Sequence, residues 1–474
     1  MISNQEIRNL VTEWGLREDV VEKDYVIGWV LWGMGSDPDL STHWAFKGGT
    51  CLKKCYIDTY RFSEDLDFSV LPNGPVKPEE IEPIINRILE RIYEESGIDF
   101  SIKKPAFKYF SDHHYTEGSI YYRGPRNAPS PSRIKLDISG NEKIVRPTIL
   151  RGVDHKYSDT TPKTANVRCY AFDEIFAEKI RAMGQRSRPR DLYDIIKLFW
   201  REDLQAEPKH IRRVLEEKCA YKNIPVPTFA TIESSPNKSE LISEWKNMLA
   251  HQLQVLPPFE QYWEELPKLF SWINGDLVPT TLATISNEGE AWVPPPTMWV
   301  SGTGLHLEPI RFAAVNHLCI EINYMKQGVQ SKKYLIEPYS LRRTKDNNVI
   351  LKAIKHNSPK PDGTFRIDWI REIKVTNQTF KPKYKIEFAS TGSIGAQPTS
   401  RKSDYNVGNY SSGWGLKRAP SRRSSSGAMK YIFQCEMCQK NFTKSTNNST
   451  LRAHNNSYGM QCLGRTGYFV GSKY

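Results

Sequence analysis

Two stretches in the first third of the chain alternate polar and apolar residues. They are Asp65-Leu66-Asp67-Phe68 and Arg133-Ile134-Lys135-Leu136-Asp137-Ile138-Ser139. A period of two predicts a half-buried strand for each. Successive strand side chains leave opposite faces, so Asp65 and Asp67 share one face, about 7 Å apart along the chain. Asp137 likewise shares a face with Lys135 and Arg133. Gly48, Gly49 and Thr50 form a turn ahead of the first strand. Further on the period changes. Ile175, Phe176, Ile180 and Met183 follow helical spacing, Arg188-Pro189-Arg190 breaks the helix, and Asp191 falls where it could cap the next one. Residues 200–275 are helical in composition. Residues 285–308 contain Pro294-Pro295-Pro296 and scattered glycines, which predicts a linker. Strand patterns then recur at 318–324, 333–338, 348–354, 364–375 and 383–388, separated by turn signals, and predict a small open β-barrel.

The first block carries candidate chemistry. Two carboxylates on one face can share divalent cations, and a neighbouring strand could bring Asp137 beside them. Like charges that close are costly unless a cation neutralises them. The glycine turn lets backbone N–H groups approach a phosphate, and Lys179 could reach the same phosphates as a compact cation. Cation plus phosphate cradle is the equipment for moving a nucleotidyl group. The competing reading is a solvated edge strand, an ordinary turn and a surface helix pair with charged caps.

Four blocks in order carry a family resemblance: Val21-Glu22-Lys23-Asp24-Tyr25-Val26, the Gly-Gly-Thr turn with Arg61-x-Ser63-x-Asp65-x-Asp67, Lys135-x-Asp137, and Glu178-Lys179-x-x-Ala182 followed by Arg190-Asp191-x-x-Asp194. Over roughly residues 10–270 the chain resembles the AbiEii family, nucleotidyltransferase toxins of type IV toxin–antitoxin and abortive-infection systems. The resemblance implies an α+β chain whose polymerase-β-like minimal nucleotidyltransferase domain carries a helical subdomain. It also implies Mg²⁺ (or Mn²⁺) on Asp65, Asp67 and Asp137, with Asp137 helping to activate the acceptor hydroxyl. Gly48, Gly49, Thr50 and Ser63 would bind the nucleoside triphosphate, Lys179 would contact its phosphates, and Asp191 would complete the site. The acceptor could be tRNA and the outcome growth arrest, with a cognate antitoxin as partner.

Composition adds limits. A chain of 474 residues predicts two to four domains, and 39 % hydrophobic content supports real cores. No apolar run approaches the ~18 residues of a membrane span, and the N-terminus has no signal-peptide pattern, so a cytoplasmic protein without membrane contact is expected. Eight cysteines in this length do not suggest a disulfide scaffold; Cys51, Cys55 and Cys169 read as packing residues. The net charge is +12, and twelve Lys or Arg stand against two acids after residue 390. A nearly neutral body with a basic tail suggests a polyanionic partner, most simply nucleic acid.

The C-terminal third adds two modules. Ile322-x-Tyr324, Ile336-Glu337-Pro338-Tyr339, Phe365-Arg366-Ile367-Asp368-Trp369-Ile370 and Phe380-Lys381-Pro382 together resemble a WYL domain, with Val349-Ile350-Leu351 standing in place of the namesake tripeptide. Such domains resemble Sm-type barrels and are associated with sensing nucleic-acid ligands. By that resemblance Tyr339, Arg342, Arg366 and Asp368 are ligand candidates; the other reading makes Tyr339 a core residue and the arginines a solvated face. In the last segment Cys435-x2-Cys438, His454 and Cys462 supply three thiolates and an imidazole, a full tetrahedral set for structural Zn²⁺. The expected division is a transferase domain at 1–280, a linker at 281–308, a barrel at 309–390, a flexible basic linker at 391–429 and a zinc finger at 430–474. The expected activity is nucleotidyl transfer to RNA in toxin–antitoxin or anti-phage defence. Two alternatives stay open: nucleotidylation of a protein, and a nucleic-acid or ligand sensor with an inactive transferase domain.

Overall fold

A computed structural model describes residues 1–57, 61–159, 161–162, 165–201, 206–278, 280–286, 290–291, 307–326, 330–344, 346, 348–388, 430–435, 440–444, 451, 454–455, 461–462 and 467–473. The expected basic linker at 391–429 and Cys438 lie outside these residues, and of His454 only the backbone is described. The chain divides into two compact units, Met1–Arg401 and Lys402–Tyr474.

In the first unit, α1 (Asn4–Trp14) starts on a Ser3 cap and ends on Gly15 in the left-handed conformation. Next, α2 (Glu18–Gly35) is buried along most of its length, including Tyr25, Ile27, Trp29 and Leu31. Its run of apolar residues therefore marks a central helix; among the described residues no helix is long and apolar enough to cross a membrane. After α3 (Pro38–His43) come β1 (Trp44–Lys47), α4 (Gly48–Cys51), a π-helical turn (Leu52–Tyr56) and β2 (Asp65–Val70). Then follow α5 (Pro78–Ser96), β3 (Ala106–Phe110), β4 (Tyr115–Tyr122), β5 (Ser132–Ser139), β6 (Ile149–Gly152) and β7 (Asn166–Cys169). Helices α6 (Phe172–Arg186), α7 (Pro189–Phe199) and α8 (Pro208–Tyr221) begin a helical region that continues in short helices to Asn274.

The seven strands form one mixed sheet in the order β3-β4-β5-β2-β1-β7-β6, with β2–β5 and β1–β7 parallel. Alternation decides which side chains face the core. In β5, Ile134, Leu136 and Ile138 are fully buried, which leaves Lys135 and Asp137 on the other face. The four polar residues of the Glu22–Tyr25 segment each tie α2 to a different element. Glu22 accepts from the Arg126 backbone and guanidinium, Lys23 pairs with Glu64 at 2.5 Å, Asp24 pairs with Lys54 at 2.6 Å, and Tyr25 donates to Asp159. Cys51, Cys55 and Cys169 are buried as expected, and their sulfurs lie within 4.8 Å of one another.

A second sheet begins with β8 (Glu290–Ala291) and continues through β9 (Leu318–Tyr324), β10 (Lys332–Arg343), β11 (Val349–Lys355), β12 (Asp362–Arg366) and β13 (Ile370–Thr379). Its order is β12-β11-β10-β9-β13, with β8 on β10, so the described pairings form an open antiparallel sheet. Two strand expectations are corrected. The stretch 364–375 is broken by a 3-10 turn at Ile367–Trp369, where Ile367 is buried off the strand alternation. Residues 383–388 form no strand; Lys385 and Glu387 donate backbone N–H groups to Ala283 and Tyr339 as an irregular strap. The helix Leu307–Val315 begins inside the stretch expected to be linker, and its residues share one apolar core with the transferase helices.

In the second unit, β14 (Lys430–Cys435) pairs with β15 (Asn441–Lys444) and, beyond the short pair β16 (His454–Asn455) and β17 (Gln461–Cys462), with β18 (Gly467–Lys473). Phe433, Cys435, Leu451 and Cys462 form its small core.

Candidate active site

The parallel pairing of β2 with β5 sets Asp67 opposite Asp137 and Asp65 opposite Lys135. The three predicted carboxylates therefore meet on one face of the sheet. Lys135 Nζ lies 3.0 Å from Asp137 Oδ1, and the Tyr115 hydroxyl of neighbouring β4 donates to the same oxygen. Burial, and Asp137 beside it, push the Asp67 carboxyl up to about 6 against the pull of Lys47. Asp65 is raised by burial and by Asp137 as well. Carboxyls that hold their protons longer than usual because they are buried and crowd one another are what a divalent cation relieves. The donor set is all oxygen, which suits Mg²⁺ or Mn²⁺.

The glycine turn is the first turn of α4. Gly48 sits at φ +79°, and a Cβ there would stand 2.1 Å from Asp67 Oδ2. Only glycine permits both that backbone and that approach. A Cβ on Gly49 would lie 2.9 Å from Arg61 Nη2 and 3.0 Å from Ser63 Oγ. Thr50 donates its hydroxyl to the Asp65 carbonyl at 2.5 Å, which locks the turn to β2. Gly48, Gly49, Thr50 and Ser63 thus border the carboxylates, and the N–H groups opening α4 have no preceding helical carbonyl to bond.

The second block behaves differently from its expectation. Lys179 is 12 % exposed at its side chain and pairs with Asp194 at 2.7 Å. Arg61 makes two parallel bonds to the same carboxylate, at 2.8 and 2.9 Å, and a third to Gln252 at 2.9 Å. Burial alone would raise Asp194, but Arg61 and Lys179 outweigh it and hold the carboxyl far below the usual range. Asp191 does not cap α7. It is the third residue of that helix, fully buried, and takes a two-bond clasp from Arg186 at 2.8 Å. The α6–α7 corner at Ser187 (φ +46°) brings Arg186 back onto Asp191.

Sequence reasoning passed over four residues here. Lys47, immediately before Gly48, is the cation that acts most strongly on Asp67 and is itself held by Glu142 at 2.8 Å and Glu178 at 3.5 Å. Arg61 and Asp194 stand inside the quoted blocks, and the one available signal for Lys47 was its place immediately before the glycine turn. Tyr115 had none, because only the β4–β5 register brings it to Asp137.

The barrel-side candidates do not converge. Tyr339 is buried between Cys319 and Phe380 and donates to Glu337 at 2.7 Å. Arg342 pairs with Glu387, and Arg366 clasps Asp368 at the surface at 2.6 and 3.0 Å. In the C-terminal unit, the Cys435 and Cys462 sulfurs lie 3.8 Å apart, and His454 faces Cys462 across the β16–β17 pair.

No curated protein matches the chain. Among solved structures it is similar to MenT4, a nucleotidyltransferase toxin of Mycobacterium tuberculosis H37Rv. The two share 16 % identity with a TM-score of 0.41, over 59 % of this chain and 91 % of that one. The family described as nucleotidyl transferase AbiEii toxin, type IV TA system, matches residues 29–265, half of the chain and all the blocks around the carboxylates. The chain belongs to the AbiEii family of nucleotidyltransferase toxins of type IV toxin–antitoxin systems.

Proposed function

We propose that this enzyme transfers a nucleotidyl group from a nucleoside triphosphate to a hydroxyl of an RNA, with tRNA as the first candidate, and that it serves in bacterial toxin–antitoxin or anti-phage defence. The observation that carries the reading is the parallel register of Asp67 on Asp137 with Asp65 on the same face. Asp65, Asp67 and Asp137 hold Mg²⁺ or Mn²⁺, which when bound neutralises the triphosphate and lowers the charge built up during transfer. Gly48, Gly49 and Thr50 receive the phosphates on backbone N–H groups, with Ser63 beside them. Lys179, fixed by Asp194, has two further ammonium protons to offer the same phosphates. Asp137 stands nearest the acceptor hydroxyl and takes its proton, with Tyr115 and Lys135 orienting it. Asp191 closes the site by holding Arg186. A cognate antitoxin completes the system.

Cys435, Cys438, His454 and Cys462 would hold a structural Zn²⁺ in the tail. The 3.8 Å sulfur separation supports this, because two thiolates about 2.3 Å from one tetrahedral zinc stand about 3.8 Å apart. The basic tail, with Lys440 and Lys444 beside that centre, suits the RNA backbone. The open sheet, which resembles a WYL domain, would read a regulatory ligand through residues such as Tyr339, Arg342, Arg366 and Asp368.

The deciding experiment incubates the purified chain with total bacterial RNA, Mg²⁺ and each labelled nucleoside triphosphate, with Asp65→Ala as control. Label in a tRNA-sized band that the variant loses is expected; label on protein would move the activity to protein nucleotidylation, and none would favour a sensor. Two further outcomes follow. Asp67 must be ionised to hold the cation, so Mn²⁺ affinity falls about tenfold per pH unit below about 6 and is flat above it. A Mn²⁺ titration at several pH values checks this, and Asp137→Asn should move the break to lower pH. For the tail, elemental analysis should find one zinc per chain, lost in Cys435→Ser with nucleotide binding intact. Zinc retained in that variant refutes the assignment.

A further inference from the structure

A sizeable cavity lies away from the carboxylates. It has a volume of about 670 Å³ and lies between the end of α7 and the strap 379–386 beside the second sheet. That size is typical of small-molecule sites. One wall is chemically unusual. Lys197 is 2 % exposed, lines the cavity, and has no carboxylate partner among the described residues. Its ammonium donates to the Val315 carbonyl, and burial together with neighbouring Arg201 pulls its pKa well below the ordinary lysine range. A buried lysine without a carboxylate beside it holds its charge reluctantly until an anion arrives.

The opposite wall adds positive charge. Lys381 and Lys385 line the cavity from the strap, and neither side chain makes an ion pair among the described residues. Gln261 contributes a buried side-chain oxygen with no hydrogen-bond partner, an acceptor waiting for a donor. Acids are present too: Glu260 and Glu264 line the rim, and Glu265 is taken by Lys268 at 2.5 Å. Trp200, Trp272 and Tyr384 supply flat apolar surface. Lys197, Lys381 and Lys385 around one space suit a dianion such as a phosphate monoester better than a single carboxylate. The aromatic surface and the lone acceptor suit a base.

We propose that this cavity is an effector site for a nucleoside phosphate, with its phosphate on Lys197 and its base toward the aromatic wall. Two elements connect it to the carboxylates. α7 carries Asp191 near its start, Asp194 at its middle and Lys197 near its end, and Ile57, directly after the π-helical turn that follows the glycine turn, stands in the cavity wall. A ligand there bears on the helix that holds Arg61 and Lys179 in place. The control of transfer rests on the function proposed above; the binding does not.

The test is calorimetric titration of the full chain with AMP in the presence of a chelator, so that a cation-dependent triphosphate site stays silent. Saturable AMP binding is expected, with ribose 5-phosphate and adenosine each at least tenfold weaker. Lys197→Met and the surface double variant Lys381→Glu, Lys385→Glu should each weaken AMP at least tenfold. Lys197→Met should melt no lower than the unaltered chain, because it removes a buried amine whose charged form burial disfavours. Absent binding up to millimolar AMP overturns the site, as does equal affinity in the unaltered chain and both variants. Equal affinity for AMP and ribose 5-phosphate overturns the nucleoside assignment. Once transfer is measured, AMP should change its rate in the unaltered chain and not in Lys197→Met; an equal rate with and without AMP overturns the control while leaving the binding result standing.

Discussion

Asp67→Asn lowers nucleotidyl transfer about a thousandfold and, in the absence of divalent cation, raises the melting temperature. The two effects have one cause. Asp67 faces Asp137 across the parallel ladder and is partly buried, and that environment raises its carboxyl to about 6. A raised folded-state value means that the native chain binds a proton more readily than the unfolded one. The resulting stability is fully present below about 3.8 and is lost as pH rises through about 6. At pH 7.5 the ionised Asp67 is therefore a liability that a cation must offset. Asparagine has nearly the same shape, carries no charge, and removes the liability together with the cation ligand. A loss of about 4 kcal/mol in stabilising the transition state corresponds to the thousandfold. Each kcal/mol of stability gained moves the melting temperature by about 2–4 °C in a body of this size. Rates on labelled RNA and melts in chelator, both at pH 7.5, check the pair. A variant with wild-type rate would remove Asp67 from the cation site; a melting temperature below that of the parent would mean that the carboxylates do not repel.

Asp194→Ala destabilises the chain by about 3–5 kcal/mol, the largest stability loss expected from any single substitution near the site. Asp194 is 0 % exposed and is the shared counter-ion of Arg61, at 3 % side-chain exposure, and of Lys179. Removing it leaves two cations buried against each other. Truncating a cation instead should cost less, because Asp194 keeps the other, so Lys179→Met is expected to lose about 1–2 kcal/mol. Chemical denaturation of Asp194→Ala, Arg61→Ala and the double variant gives the coupling directly. The double variant should be less destabilised than the sum of the singles by about 1–3 kcal/mol. Strict additivity would mean that the clasp contributes nothing, and Asp194 would then be free to act on the substrate.

The difference between these two aspartates shows what local pattern could convey. Asp65, Asp67 and Asp137 were legible because strand alternation is a property of adjacent residues, and three alternating stretches of the second sheet, 318–324, 333–338 and 348–354, were legible for the same reason. The α6–α7 break followed from Pro189 alone. Asp191, Lys179 and Tyr339 had the right residue types, but their partners are set by packing. Arg186 takes Asp191, Asp194 takes Lys179, and Glu337 accepts from Tyr339. Residues 383–388 alternate like a strand yet remain a strap, because the described ladder gives them no partner strand and their backbone bonds go to Ala283 and Tyr339.

The sequence by itself determined the chemistry on offer: an acidic pair on one strand face, a third acid on another strand, a glycine turn and a basic tail. These depend on backbone period and residue type over a few positions, which no distant contact changes. The tertiary structure decided what those groups meet. The parallel β2–β5 register, set by which apolar faces bury together, puts Asp137 on Asp67 and not one residue away, where it would face the core. The same packing recruits Lys47 and Tyr115 to the carboxylates, sets Arg61 on Asp194, and leaves Lys197 without an acid among the described residues at the wall of a cavity, because charge pairing inside a protein is settled by three-dimensional proximity.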